Sequence, residues 1–365
     1  MRYFITGGAG FIGSNYADRL LGRGDEVYVF DNLSRAGALS NVRWLMEKHG
    51  HDCPLTIGIE DVRSLEKVKA ALLQYQPDVI VHLAGQVTVT ESVTDVWGDF
   101  TSNVIGTLNV LMAVDCMRAR GAFDPVFIFA STNKVYGTLD WVELGETKTR
   151  HVLDGIGIHE YCPLDFRTPY GCSKGAADQY VLEYGRRGLN TFVLRQSCIY
   201  GPRQFGCEAQ GWLAWLMIAA LRGDPITIYG DGKQVRDVLY VTDLLDLYDA
   251  IVEKKDWPDG VDRVLNVGGG PRNTLSVWAE YGDLLSSLVG EPVEVSYDDW
   301  RPADQRVYIS DIRKAQRVLG WVPRVSTVEG IHMLFEWIEN HKVLILDVMG
   351  GKETRPLVRD DWELV

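Results

Sequence analysis

Short runs of β-branched and aromatic residues alternate with stretches of helical period along the first two-thirds of the chain. Buried parallel strands read as near-continuous apolar runs, and amphipathic crossover helices separate them. The pattern predicts strands at 3–6, 26–30, 55–59, 79–82, 126–130 and 191–195, and a late one at 263–267 that ends in Gly268-Gly269-Gly270. Strands alternating with helices imply an α/β protein of the Rossmann type, a doubly wound parallel sheet. Beyond about Tyr200 the pattern loosens. The Trp-rich stretch from Gln210 to Trp215 and the turn Gly230-Asp231-Gly232 suggest a smaller C-terminal substrate lobe. The expected division is 1–199 plus about 238–270 for the sheet domain and about 200–237 plus 271–342 for the smaller lobe. A charged extension, 343–365, is expected to be mobile or to make a subunit contact.

Composition narrows the classes. Of 365 residues, 46% are hydrophobic, enough for a large core. No apolar run is read as long enough to span a bilayer, and Met1-Arg2-Tyr3-Phe4-Ile5 is too short for a signal peptide, so a cytoplasmic protein is expected. The net charge of −13 argues against nucleic-acid or anionic-membrane partners, which require a basic face. Six scattered cysteines carry no metal-ligand spacing, so neither a metal nor a disulfide framework is expected.

Gly7-Gly8-Ala9-Gly10-Phe11-Ile12-Gly13 follows the first strand directly and opens a helix. Glycines at i, i+3 and i+6 permit a tight turn and let backbone N–H groups approach a pyrophosphate at a helix N-terminus. The second strand runs into Asp31, 18 residues after Gly13, where a carboxylate can accept from a ribose diol and repel a 2′-phosphate. That favours NAD over NADP, although Arg35 could pair with the extra phosphate. The expected cofactor set is Gly7, Gly10, Phe11, Ile12, Gly13, Asp31, Asn32, Ser34, Arg35, Asp61, Val62, Leu83, Ala84 and Gly85, with Tyr170 and Lys174.

Tyr170 and Lys174 stand four apart at the start of a helical run, 171–184, which places them on one face. Tyr229 and Lys233 match the same spacing but lead into a glycine turn, so they are set aside as a chance match. Ser131-Thr132 closes the fifth strand; Thr132 is preferred as the third member, with Ser131 as the alternative. Removing hydride from a carbinol carbon requires a base for the hydroxyl proton. Tyr170 is expected as proton acceptor, Lys174 as the ammonium that acidifies it and anchors the ribose, and Thr132 as the orienting hydroxyl.

These features resemble the extended short-chain dehydrogenase/reductases to about His341. More narrowly, Ser131-Thr132-Asn133-Lys134-Val135-Tyr136-Gly137, the Pro169–Tyr180 string, Arg203-Gln204-Phe205-Gly206 with Gln210-Gly211-Trp212, and the 232–238 string resemble the CDP-tyvelose (CDP-paratose) 2-epimerase family. The resemblance implies NAD retained through the cycle, a nucleotide-diphosphate hexose in the second lobe, and inversion at C2. Gln86, Thr132, Asn133, Arg203, Gln204, Gln210, Trp212, Arg236 and Arg301 are the substrate residues it implies, the last two arginines on the diphosphate. A homo-oligomer, dimer or tetramer, is also expected. In related 4,6-dehydratases an Asp-Glu pair follows the strand-end hydroxyl; here Asn133-Lys134 supplies no carboxylate for eliminating water. The alternatives are a UDP-hexose 4-epimerase, a net NAD-dependent oxidoreductase and a non-catalytic NAD-sensing protein.

Overall fold

The computed structural model describes residues 1–350 other than His51, Ala122 and Lys255. Seven parallel strands form the central sheet: β1 (Arg2–Thr6), β2 (Glu26–Asp31), β3 (Leu55–Ile59), β4 (Val79–His82), β5 (Val126–Thr132), β6 (Thr191–Gln196) and β7 (Val264–Val267). Their order is β7-β6-β5-β4-β1-β2-β3, so the chain reverses direction across the sheet between β1 and β4. That reversal point, at the carboxyl ends of the strands, is where doubly wound sheets bind ligands. All seven expected strands are present. Three run past their expected ends, which places Asp31 within β2, Ser131-Thr132 within β5 and Gln196 within β6.

Helices α1 (Phe11–Gly22), α2 (Ala38–His49), α3 (Leu65–Tyr75), α4 (Gly106–Ala119) and α5 (Thr168–Arg186) cover the two faces. Val96–Ala119 is long and apolar enough to cross a membrane, with a mean hydropathy of 1.2, contrary to the sequence expectation. It is instead packed into the fold, with 56% of its most apolar stretch buried, and carries a π-helical segment, Thr101–Ile105, near its N-terminal end.

The smaller lobe is built on Val235–Tyr240, which pairs with Cys198–Tyr200 and Val307–Tyr308 in parallel and with Thr274–Ser276 antiparallel. One hydrophobic cluster runs from Tyr3 and Ile5 of the sheet through Leu213, Leu244 and Leu334 to Val348, so both lobes share a core. The stretch expected to trail off from about Leu344 is helical over Lys342–Met349 and buries Ile345 and Val348 in that cluster. The apolar spacing there is short, and its burial comes from the preceding helix Thr327–Asn340. The rest of that tail, 351–365, lies outside the described residues.

Candidate active site

β1 ends in a turn that no side chain could follow. Gly7 takes a φ of 68°, and its N–H donates to Phe30 O at 2.9 Å. A Cβ on Gly7 would lie 2.7 Å from Ala84 N, and one on Gly13 would lie 2.4 Å from Gly7 O. The glycines thus bring the ends of β1 and β4 and the start of α1 together. Gly10 caps α1 without a side-chain hydrogen bond, and the first turn has no acidic residue. Phe11, Ile12 and Gly13 therefore present N–H groups suited to a pyrophosphate.

The carboxylate of Asp31 accepts from Ala9 N–H (3.0 Å) and Leu33 N–H (2.8 Å). Burial raises its pKa, and those two donors oppose the rise. Each oxygen keeps acceptor capacity for a diol. Asn32 donates to Asp61 at 2.9 Å, and Arg63 holds the Asp61 carboxyl down at about 2. Ser34 N–H donates to Asn32 Oδ1 at 3.1 Å, and Val62 is buried against Gly106. Leu83 and Ala84 are tied by their N–H groups to Thr6 O and Oγ1. Gly85 faces the Asn103 amide, which a Cβ would approach to 2.5 Å. This cradle fits a dinucleotide. Arg35 differs from expectation: its guanidinium reaches Gln210 Oε1 at 3.2 Å and lies 3.9 Å from Glu91, across the cleft.

Thr132, at the end of β5, donates to Asn133 Oδ1 (3.3 Å) and accepts from Lys134 N–H (3.2 Å). Tyr170, in the first turn of α5, is buried and hydrogen-bonded to Thr132. Burial pushes its phenol up to about 12, and the Thr132 hydrogen bond opposes this. Lys174 lies one turn on in the same helix. Its Nζ donates to Ala130 O at 2.6 Å and lies 4.4 Å from the Phe129 ring centroid, and burial lowers its pKa to about 8. Ser131 points elsewhere, donating to Asp178 at 2.7 Å.

A group that sequence reasoning missed lies behind Tyr170. Asn103 donates to Asp99 (3.1 Å) and Ser173 (2.9 Å), and Ser173 donates to Tyr170 O (3.2 Å). Asn103 sits in the π-helical segment, where an extra residue per turn redirects side chains. No sequence signal marked that segment.

A cavity of about 480 Å³ opens beside Thr132 between the lobes. Asn133, Gln210, Trp212, Arg236 and Arg301 line it, as do Lys134, Asp304 and Tyr229. Tyr229, set aside as a chance match, is thus part of the wall: its hydroxyl donates to Glu208 at 2.7 Å, and Arg301 stacks 4.1 Å from its ring centroid. Four expected substrate residues are not in the lining: Thr132, which adjoins it through Asn133, and three that lie elsewhere. Gln86 is spent on Thr88, its amide donating to Thr88 O at 2.8 Å and its oxygen accepting from Thr88 N–H at 3.0 Å. Arg203, at a φ of 67°, is buried against the ring faces of Trp44 and Trp337. Gln204 donates to Ile199 O at 3.2 Å and is 3% exposed. Both of the last two brace the loop between the lobes.

The topology, the glycine cradle and the Thr132–Tyr170–Lys174 cluster are those of an NAD-dependent sugar-modifying enzyme. The chain belongs to the NAD dependent epimerase/dehydratase family, whose model matches residues 3–268, and it is an NAD-dependent nucleotide-sugar epimerase. It is 41% identical over 345 residues to the CDP-paratose 2-epimerase of Salmonella typhi, covering 92% of this chain and 99% of that one. A UDP-glucose 4-epimerase of Thermotoga maritima, solved with UDP-glucose, matches with a TM-score of 0.78 and 30% identity over 94% of this chain and 100% of its own. The UDP-glucose 4-epimerase of Thermus thermophilus, solved with NAD, matches with a TM-score of 0.74 and 29% identity over 93% of this chain and 99% of its own.

Proposed function

We propose that the chain inverts C2 of a CDP-hexose, oxidising and re-reducing that carbon within one turnover. The observation that carries the reading is that Thr132 and the buried phenol of Tyr170, with Lys174 one helical turn on, adjoin Asn133 and Lys134 of the cavity wall, and that those two residues place no carboxylate directly after the hydroxyl to drive elimination. End-to-end likeness to a CDP-paratose 2-epimerase supports the choice of carbon and base.

Gly7, Gly10 and Gly13, with the N–H groups of Phe11 and Ile12, would hold the pyrophosphate of NAD; Asp31 would hold its adenosine ribose, with Asn32, Ser34, Asp61 and Val62 around the adenosine. Leu83, Ala84 and Gly85 would edge the dinucleotide. When bound, NAD supplies a reversible acceptor for the hydrogen on the sugar carbon. Tyr170, as phenolate, takes the hydroxyl proton and returns it; it is the buried phenol beside Thr132, and the cationic ring of bound NAD would favour its ionised form against the upward pull of burial. Thr132 orients the sugar hydroxyl toward that phenol. Lys174, buried and anchored on Ala130 O, is placed to hold the nicotinamide ribose. Asn133 and Gln210 offer amide groups to the hexose and Trp212, whose indole N–H donates to Cys198 Sγ at 3.4 Å, offers a ring face, while Arg236 and Arg301 offer guanidinium groups to the diphosphate.

A hexose deuterated at C2 is the direct test. The inverted product is expected to keep its label at C2, and reaction in heavy water is expected to add none. Loss of label to solvent would replace hydride transfer with deprotonation beside a carbonyl. Inversion at C4 with C2 untouched would instead make the enzyme a UDP-hexose 4-epimerase type.

A further inference from the structure

Lys134 is tied to the reacting end of the cavity by its own backbone, since its N–H donates to Thr132 Oγ1 at 3.2 Å. Its side chain lies along the same cavity wall, with Nζ 3.3 Å from Asp304 Oδ1. That carboxylate also accepts from Arg236 at 2.8 Å and from Gln305 N–H at 3.0 Å. Two cations share one carboxylate, in a wall where the Arg236 side chain is 7% exposed. Burial lowers the Lys134 pKa, and Arg236 and Lys134 hold the Asp304 carboxyl down against its burial. The cluster is therefore one positive charge in excess, and an incoming anion would relieve that excess. Adjacent residues fix its geometry: Asn133 donates to Gln305 Oε1 at 3.3 Å, and Gln305 donates to Gly137 O at 2.7 Å.

Sugar chemistry turns this placement into a choice of carbon. In a nucleotide hexose the phosphate hangs from C1. When C2 is presented to Thr132 and Tyr170, the phosphate is attached to the neighbouring carbon and lies beside them. When C4 is presented, the phosphate lies across the ring. A cation two residues from the orienting hydroxyl of Thr132 thus meets phosphate in the first orientation and neutral ring substituents in the second.

We propose that Lys134 determines the reacting carbon, its ammonium and Arg236 taking the sugar-linked phosphate and so presenting C2. This rests on the C2-epimerase reading above. The plain structural role, a clamp between the Thr132 turn and the 301–305 loop, uses the same Lys134–Asp304 pair, so the test must separate phosphate binding from bracing.

The test uses the full-length holoprotein and two probes, CDP and CMP, which differ only in the phosphate that carries the sugar. In Lys134→Gln the affinity for CDP is expected to fall about tenfold or more while CMP is little changed, as for loss of one charge-assisted hydrogen bond. Inversion at C2 falls in parallel, mainly through KM, and Lys134→Arg restores both. Equal weakening of CDP and CMP, or of neither, overturns the proposal. Should Lys134→Gln not fold, Asp304→Asn frees the ammonium, and CDP is then expected to gain on CMP; no gain overturns it. A wild-type enzyme that leaves C2 untouched sinks the function reading, whereas C2 inversion with an unchanged CDP-to-CMP ratio sinks the lysine assignment alone.

Discussion

Tyr170 and Tyr229 share a spacing motif but not an environment, and their substitution separates chemistry from binding. Tyr170→Phe removes the proton acceptor and keeps the ring, so turnover is expected to fall by roughly 10² or more with nucleotide binding retained. Tyr229→Phe loses one hydroxyl bond to Glu208 and keeps the stacked Arg301, so its effect should be confined to a KM rise of a few-fold. Equal losses in kcat would show that the wrong tyrosine has been chosen. Lys174 gives a pH signature. Its pKa is about 8 in the fold against 10.5 for an exposed lysine, so between these values the unfolded chain holds a proton that the folded one has released. Stability from this group therefore rises with pH across that window. Lys174→Met is expected to be at its most stable relative to wild type below pH 8, and to lose on the order of 2–3 kcal/mol of that advantage by pH 10.5. Denaturant unfolding of both proteins at several pH values measures it, and a flat difference would contradict the assignment. The places of Thr132, Tyr170 and Lys174 at a strand end and a helix start were legible because both are local patterns. Arg203 was not: its partners, Trp44 and Trp337, come from distant parts of the chain, and no local spacing announces a side chain packed against two indoles.

The elements around the site are locked by one buried ion pair. Arg195 of β6 makes two 3.0 Å bonds to Asp178 of α5, which also accepts from Ser131 of β5, and Arg195 donates to Tyr136 Oη at 3.0 Å. With side chains 4% and 0% exposed, neither charge can be left alone cheaply. Asp178→Asn is expected to cost about 3–5 kcal/mol of unfolding free energy, as for any broken buried pair. A loss below about 1 kcal/mol, read by denaturant titration, would mean that water reaches the pair. The strands were readable from apolar runs almost to the residue, because burial on both faces removes polar interruptions. The π-helical segment and the helix at 342–349 were not, since the first depends on one extra residue in a turn and the second on a surface made by other helices.

Across the whole molecule the lobes are held as one body. The shared hydrophobic cluster runs from Tyr3 and Ile5 of the sheet to Leu213 and Leu334, while within the sheet domain Arg19 and Arg23 of α1 bind Asp246 and Asp249 of the helix Val241–Glu253. Loss of secondary structure and loss of tryptophan burial are expected to coincide in a single denaturant transition, and two separated midpoints would show that the lobes unfold independently. The placement of β7 has a consequence for biosynthesis. This strand closes the sheet against β6, yet it is made only after the chain has left to build part of the smaller lobe. A ribosome that has released everything up to Tyr240 presents β6 as a bare, apolar edge. Until residues 264–267 emerge, the nascent protein carries an unpaired template for other chains, and that interval is when it most needs a chaperone.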